Sequence, residues 1–142
     1  MSLFVIDASV ALAWFFEDEY SPYAEAVANL LLQGQAIAPI IWPLEMANAM
    51  LTSMRRGRFP ESQALSMIDA LRRLPVVLDQ DIAPMALAQA ALGLGATYRL
   101  SAYDASYLEL AVRRGLPLAT LDARLKQAAS ATGLPILQAA SS

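Results

Sequence analysis

Four of the thirteen acidic residues lie where the predicted fold would gather carboxylates in one place. Asp7 and Asp122 each follow a short apolar run that is typical of a buried strand. Glu45 and Asp104 each fall in the first turn of a predicted helix and have apolar or aromatic neighbours. Because ligands of open α/β sheets bind at the carboxyl ends of the strands, we expect these four acids to share one pocket.

Carboxylates gathered in this way would repel one another. Two of them about 5 Å apart repel by roughly 3 kcal/mol at an effective dielectric of about 20. A cluster therefore either takes up protons or holds cations. A divalent cation would remove the repulsion, lower the pKa of a water molecule and neutralise charge that develops on a phosphate. The pattern predicts a site that hydrolyses phosphodiester bonds with a metal-activated water.

Each acid taken alone also has a simpler interpretation. Asp7 and Asp122 could cap the helices that follow them, and Glu45 and Asp104 could favour the helix dipole. The other nine acids are interpreted as surface residues. This group includes Asp79, Asp81 and Glu109, and Glu109 precedes Arg113 by one helical turn.

Three further polar residues are candidates for a supporting role. Ser9 lies two residues after Asp7, and Thr120 lies two residues before Asp122. Both hydroxyls could orient a carboxylate, although capping or strand packing explains them equally well. Asn48 lies about one helical turn after Glu45 and shares its face, where a solvated position is the alternative.

Cysteine and histidine are both absent from the 142 residues. This absence excludes disulfides, thiolate or histidine catalysis, and zinc held by nitrogen or sulfur. Oxygen ligands suit hard cations such as Mg²⁺ or Mn²⁺. The formal net charge is -3, so any nucleic-acid contact must come from local basic patches. No secretory signal or membrane span is evident, which predicts a cytoplasmic protein.

Short apolar runs alternate with helical segments along the chain. This alternation indicates an α/β fold in three layers, α/β/α, with a mainly parallel twisted sheet. Predicted strands cover residues 3–6, 36–38, 76–78, 118–121 and 135–137. Predicted helices cover residues 9–17, 22–33, 43–56, 61–73, 81–96, 101–114 and 123–133. Residues 1–138 are predicted to form one domain, followed by a frayed C-terminal tail at residues 139–142.

Four segments resemble the sequence motifs of PIN domains, especially the VapC-type toxins of bacterial toxin–antitoxin modules. The segments are Val5-Ile6-Asp7-Ala8-Ser9-Val10-Ala11, Pro43-Leu44-Glu45 with Ala47-Asn48-Ala49, Tyr103-Asp104-Ala105-Ser106-Tyr107, and Leu118-Ala119-Thr120-Leu121-Asp122-Ala123-Arg124-Leu125. A lone Asp-Ala-Ser is a weak signal, whereas four motifs in order and at matching spacing are a strong one. The resemblance covers nearly the whole chain.

The resemblance implies an endoribonuclease that depends on Mg²⁺ or Mn²⁺ and acts as a toxin. Its metal ligands would be Asp7, Glu45, Asp104 and Asp122, with Thr120 and Ser9 in support. It also implies a homodimer and a small antitoxin protein whose C-terminal segment covers the active-site groove.

One departure from the family pattern concerns the fourth motif. Some PIN domains carry a further acid just after it, where this chain has Ala123 and Arg124. We therefore expect one firmly held ion and a weaker second.

Basic residues offer fewer candidates for substrate contact. Three arginine clusters lie at predicted helix C-termini, where cations are favoured in any case. The clusters are Arg55, Arg56 and Arg58; Arg72 and Arg73; and Arg113 and Arg114. Arg99, just before the helix of Asp104, is the better candidate for binding the RNA substrate.

Two alternative functions remain open at this point. The same metal chemistry could act on DNA, because phosphodiester hydrolysis is common to both polymers. The chain could also be a non-catalytic module that binds a protein partner, although the presence of all four acids argues against this. A dinucleotide-binding domain is excluded because no glycine-rich loop follows the first strand.

Overall fold

Parallel strands alternate with helices in the computed structural model, which describes residues 3–139. The elements in chain order are β1 (Leu3–Ile6), α1 (Ala8–Phe15), α2 (Pro22–Leu31), β2 (Gln35–Ala38), α3 (Trp42–Arg55), α4 (Glu61–Arg72), β3 (Val76–Leu78), α5 (Pro84–Tyr98), α6 (Ala102–Arg114), β4 (Leu118–Ala119) and α7 (Ala123–Ala131). A short 3-10 turn, Glu17–Glu19, occupies the acidic segment between α1 and α2.

The four strands form one parallel sheet in the order β3-β2-β1-β4. Helices flank the sheet, so the predicted three-layer α/β/α fold is confirmed. The chain leaves β1 towards β2 on one side and returns to place β4 on the other side. Strand order therefore reverses between β1 and β4, and the crevice at their carboxyl ends is where such sheets bind ligands. Asp7 follows β1 and Thr120 follows β4 at this point.

The core explains why these ends are held firmly. Phe4, Val5 and Ile6 of β1 are fully buried, and each buried side chain of this size contributes roughly 1.5–3 kcal/mol. Helix α6 is buried continuously over residues 105–111 and packs against β1 and β4. Asp104 thus stands at the start of the most continuously buried helix, while Asp7 directly follows the fully buried residues of β1.

Local sequence signals predicted most helix ends correctly. Ser21 accepts a hydrogen bond from the backbone N–H of Ala24 and caps α2, with Pro22 at the first helical position. Gly115 ends α6 in the left-handed conformation that glycine adopts without strain. These ends agree with the sequence prediction.

Three predicted elements differ in the structure. The helix expected from Asp81 begins at Pro84, because the backbone N–H of Asp81 donates to the carboxylate of Asp79 in a turn. The strand expected at residues 118–121 ends at Ala119, and the strand expected at residues 135–137 is one bridge between Ile136 and Leu118. The predicted tail falls mostly outside the described residues, since residues 140–142 lie beyond them. Within residues 3–139, no helix is both long and apolar enough to cross a bilayer.

Candidate active site

Asp7 is a buried carboxylate that is surrounded by hydrogen-bond donors. Its Oδ1 accepts from the Ser9 hydroxyl at 2.7 Å and from the Val10 backbone N–H at 3.2 Å, which caps α1. Its Oδ2 accepts from the Thr120 hydroxyl. Only 4% of Asp7 is exposed, and this burial raises its pKa to about 6, with a smaller contribution from the charge of Asp104. The three donors limit that rise because they stabilise the ionised form.

Two hydroxyls connect Asp7 to the end of β4. The Ser9 hydroxyl accepts from the backbone N–H of Leu121 at 2.9 Å. The Thr120 hydroxyl accepts from the backbone N–H of Asp122 at 3.0 Å. These bonds satisfy the backbone donors of Leu121 and Asp122 beyond the end of β4 at Ala119. Ser9 and Thr120 therefore lie beside the predicted acids, each with a donor and an acceptor role.

Asp122 begins α7 in the same way that Asp7 begins α1. Its Oδ1 accepts from the backbone N–H of Leu125 at 2.9 Å and caps the helix. The capping interpretation of Asp7 and Asp122 is thus correct as far as it goes. It does not exclude a second role, because each carboxylate has a second oxygen and both stand at the same edge of the sheet.

Glu45 approaches the same edge from α3. Its Oε1 accepts from the Tyr107 hydroxyl at 2.6 Å, a contact between α3 and α6. Glu45 is half-buried, and this burial together with the nearby Asp104 raises its pKa, while the bond from Tyr107 opposes the rise. Asn48 lies on the same face of α3, and both residues line a cavity of about 420 Å³.

Asp104 is at the centre of the group. It lies in the first turn of α6, where its backbone N–H donates to the Ser101 hydroxyl at 3.0 Å. Burial raises its pKa, and the charge of Asp122 raises it further. Asp104 also raises the pKa values of Asp7 and Glu45. Asp104 therefore lies near enough to each of the other three acids to interact with it electrostatically.

The donor set suits a hard divalent cation in its chemistry. All four side chains offer carboxylate oxygens, and no ion pair found between residues 3 and 139 involves any of them. As they stand, no three acids in that range are close enough to enclose one ion. Binding of one ion by three or more of these acids would therefore require some of their side chains to move.

A second set of buried acids provides an internal comparison. Asp79 and Glu109 are largely buried, so interpreting them as surface residues is wrong. Arg113 lies between them, 2.5 Å from an Asp79 oxygen and 2.8 Å from a Glu109 oxygen. Burial opposes ionisation of Asp79, but its hydrogen bonds with Arg113 lower its pKa overall. This pair of acids is structural because it has its own cation, whereas residues 3–139 provide none within ion-pair distance of the four candidate acids.

Sequence reasoning gave no role to Tyr107. It lies one helical turn after Asp104 in a buried stretch of α6, and only the fold shows that its hydroxyl meets Glu45, 62 residues away. A tyrosine at i+3 from a candidate acid was the available signal, since a buried tyrosine hydroxyl needs a partner.

Arg99 is exposed and lies outside the carboxylate group, at the end of α5. Of the other arginines, Arg58 pairs with Asp18 and Arg114 lies 3.8 Å from Asp81. Those contacts agree with a structural interpretation of the helix C-terminal clusters.

Comparison with known proteins identifies the class. A family model described as PIN domain matches residues 4–131, so the chain belongs to the PIN domain family, and the predicted resemblance is confirmed. Ribonuclease VapC3 of Pyrobaculum aerophilum is 30% identical over 124 residues, which cover 87% of this chain and 92% of that protein. The crystal structure of PAE2754 from Pyrobaculum aerophilum matches with a TM-score of 0.65 and 23% identity, over 89% of this chain and 79% of that one. This likeness supports the fold.

Proposed function

We propose that this chain is a divalent-metal-dependent endoribonuclease and the toxin of a toxin–antitoxin pair. The observation that carries the proposal is the group of four acids at the carboxyl ends of β1 and β4, which no arginine or lysine of residues 3–139 neutralises within ion-pair distance. Buried carboxylates without a cation are costly, and a divalent ion removes that cost. The similarity to a protein named ribonuclease supports RNA as the substrate.

In this proposal Asp7, Glu45, Asp104 and Asp122 hold Mg²⁺ or Mn²⁺. When bound, such an ion activates water and stabilises the negative charge that develops on the phosphate. We expect one firmly held ion and a weaker second, because Ala123 follows Asp122 where some relatives carry another acid.

The chain's own polar groups orient those ligands. The hydroxyls of Ser9 and Thr120 each bind one oxygen of Asp7, which restricts rotation of its carboxylate. Tyr107 binds one oxygen of Glu45 and leaves the other free. Such outer contacts fix the direction of metal ligands in other proteins and strengthen metal binding. Asp7 must be ionised to act as a ligand, so we expect metal binding, and activity at sub-saturating metal, to weaken as the pH falls below about 6.

The antitoxin partner is proposed to lie over the cavity beside Glu45. This cavity is lined by Ile41, Leu44, Glu45, Ala47, Asn48, Leu51 and Tyr103. Leu44 and Tyr103 are 74% and 61% exposed and line the same cavity, so together they present apolar surface there. An apolar segment laid across this groove would cover them and block the approach of RNA to the acids.

We also propose that the protein is a cytoplasmic homodimer. Helix α5 carries no charged residue between Pro84 and Tyr98, and Met85 and Leu92 are largely exposed on it. An uncharged, exposed helix of this length supports self-association. Light scattering coupled to size-exclusion chromatography would measure the mass, and a monomer at micromolar concentration would contradict this part of the proposal.

Nuclease assays on three purified proteins test the proposed activity. They are the native chain, Asp7→Asn, and the matched control Asp69→Asn, whose carboxylate is exposed on α4. Each is incubated with structured and unstructured RNA and with DNA, with Mg²⁺, Mn²⁺ or a chelator. We expect metal-dependent cleavage of RNA by the native chain and by Asp69→Asn, and none by Asp7→Asn.

Other results would each contradict a named part of the proposal. Equal cleavage by all three proteins would indicate a contaminant or a different site. Equal cleavage of RNA and DNA would refute the specificity for RNA. No cleavage together with no binding of Mn²⁺ would favour the non-catalytic partner-binding module.

A further inference from the structure

A cleft with two arginines lies between the end of α5 and α7. Its volume is about 420 Å³, and we call it the arginine cleft. It is lined by Tyr98, Arg99, Arg124, Gln127, Ala128 and Ala131. No acidic residue lines it, and the ion pairs described within residues 3–139 involve other arginines. The cleft therefore concentrates positive charge on a chain whose net charge is -3.

Arg99 occupies its position at a cost in stability. It has φ 58° and ψ 45°, and among residues 3–139 it alone has a positive φ without being a glycine. Gly115 has nearly the same conformation at the same position of α6, with φ 64° and ψ 37°. Glycine is the residue that a helix end of this kind favours, so an arginine here is strained. Backbone strain of this kind is concentrated at functional sites.

The turn that carries Arg99 is tightly built. The backbone N–H of Leu100 donates to the Gly95 carbonyl at 3.1 Å, and a Cβ at position 95 would lie 2.8 Å from the Leu100 carbonyl oxygen. Ser101 follows directly and caps α6. Arg99 is therefore held by a close backbone contact and connected through two residues to the helix that carries Asp104.

The arginine cleft begins next to the acids. Arg124 follows Asp122 by two residues, in the first turn of α7. The other α7 residues of the cleft continue along one helical stripe for about 10 Å, away from the acids. Asp122 in turn interacts with Asp104, at the start of α6. The arginine cleft thus runs along α7 from the edge of the carboxylate group, with Arg124 at its near end.

We propose that the arginine cleft binds the backbone phosphates of single-stranded RNA next to the phosphodiester that lies at the acids. This inference rests on the proposed nuclease function and adds Arg124 to Arg99 as a substrate-binding residue. Arginine suits the role because its planar guanidinium binds phosphate oxygens through two parallel hydrogen bonds. The strain at Arg99 is then the cost of placing that guanidinium at the site.

RNA-binding measurements with matched variants test this inference. Binding of a fluorescein-labelled oligouridylate is followed by anisotropy at several KCl concentrations, with Mg²⁺, in the Asp7→Asn background so that no RNA is cut. Arg99→Gly, Arg124→Gln and the double variant are compared with Arg72→Gln. Arg72 is an exposed arginine at the end of α4, before β3 begins, and so at the opposite edge of the sheet from the acids. The thermal unfolding midpoints of these four variants and of the Asp7→Asn parent are also measured.

We expect each cleft variant to bind RNA about three- to tenfold more weakly, with the salt slope reduced by about 0.7 per arginine removed. Arg72→Gln should leave both quantities nearly unchanged. Arg99→Gly should also raise Tm by about 2–5 °C, since glycine relieves the strain. A gain in stability with a loss of affinity is not expected of a purely structural residue.

Three outcomes would overturn the inference. Unchanged affinity and salt slope in the double variant would show that the cleft does not bind phosphate, and metal-dependent cleavage by the native chain would still support the nuclease. An equal effect of Arg72→Gln would show that only bulk charge matters. Absence of both RNA binding and cleavage in the native chain would remove the proposed function and this inference together.

Discussion

Replacing Asp7 with asparagine should make the metal-free protein more stable while abolishing its activity. Asparagine has nearly the same shape but no charge, and Asp7 is 4% exposed with no cationic neighbour within ion-pair distance in residues 3–139. Burying a charge without a counter-ion is costly. Activity should disappear because the proposed metal site loses its most deeply buried ligand.

The size of the gain follows from the pKa of Asp7. Burial raises this pKa from 3.8 to about 6 in the folded chain, and the difference corresponds to about 3 kcal/mol. The folded state therefore holds the proton more tightly than the unfolded state. The stability that the protonated Asp7 carboxyl contributes is fully present below pH 3.8 and is lost as the pH rises through about 6. The full cost of burying the charged Asp7 therefore applies at neutral pH. Asparagine avoids it but loses one acceptor for a hydroxyl, which costs about 1 kcal/mol and leaves a net gain of about 2 kcal/mol.

Urea unfolding in the presence of EDTA, followed by circular dichroism, measures this difference. We expect Asp7→Asn to be more stable than the native chain by about 2 kcal/mol at neutral pH and to lose all of that advantage near pH 4, where Asp7 of the folded chain is protonated. Asp69→Asn should match the native chain at both pH values. Added Mn²⁺ should stabilise the native chain and not Asp7→Asn. A variant less stable than the native chain at neutral pH, or a gain that does not depend on pH, would refute the reasoning.

Three further substitutions separate the roles of the surrounding groups. Thr120→Val removes a donor to Asp7, so the pKa of Asp7 should rise further and the acidic limb of the pH–rate profile should move to higher pH. The free energy of unfolding should fall by about 2 kcal/mol. An acidic limb that stays at the same pH would contradict this. Tyr107→Phe removes the donor to Glu45 and should weaken Mn²⁺ binding about tenfold in calorimetric titration. An unchanged affinity for Mn²⁺ would show that the contact does not orient Glu45. Arg113→Met leaves two buried acids without their cation and should lower unfolding free energy by about 2–3 kcal/mol in urea, with the specific activity of the folded fraction unchanged.

Local sequence signals predicted much of the fold because their effects are local. A serine before a proline predicted the start of α2, and a glycine after basic residues predicted the end of α6. Apolar runs ending in polar residues gave β1 and β4, and their carboxyl ends placed Asp7 and Asp122 at one edge. The position of Asp7 and Asp122 at one edge could be predicted because the carboxyl ends of parallel strands lie at the same edge of a sheet.

Contacts between distant segments were not predictable in the same way. Asp79 and Arg113 are 34 residues apart, and no local pattern indicates that their side chains meet in a buried pair. The sequence therefore indicated surface positions for Asp79 and Glu109, and only the contact of Arg113 in α6 with the residue that follows β3 shows otherwise. The conformation of Arg99 was equally hidden, since its residue type favours a right-handed backbone.

The hydroxyl bridges around Asp7 also have a consequence for the order of events during translation. Thr120 and Asp7 are separated by 113 residues, and Leu121 and Ser9 by 112. A ribosome that has released only the first six helices has therefore made no complete site, because one end of each bridge has not emerged. Asp122 comes to the same edge of the sheet as Asp7 only when β4 docks against β1, so the proposed site can form only after almost all of the chain has been synthesised.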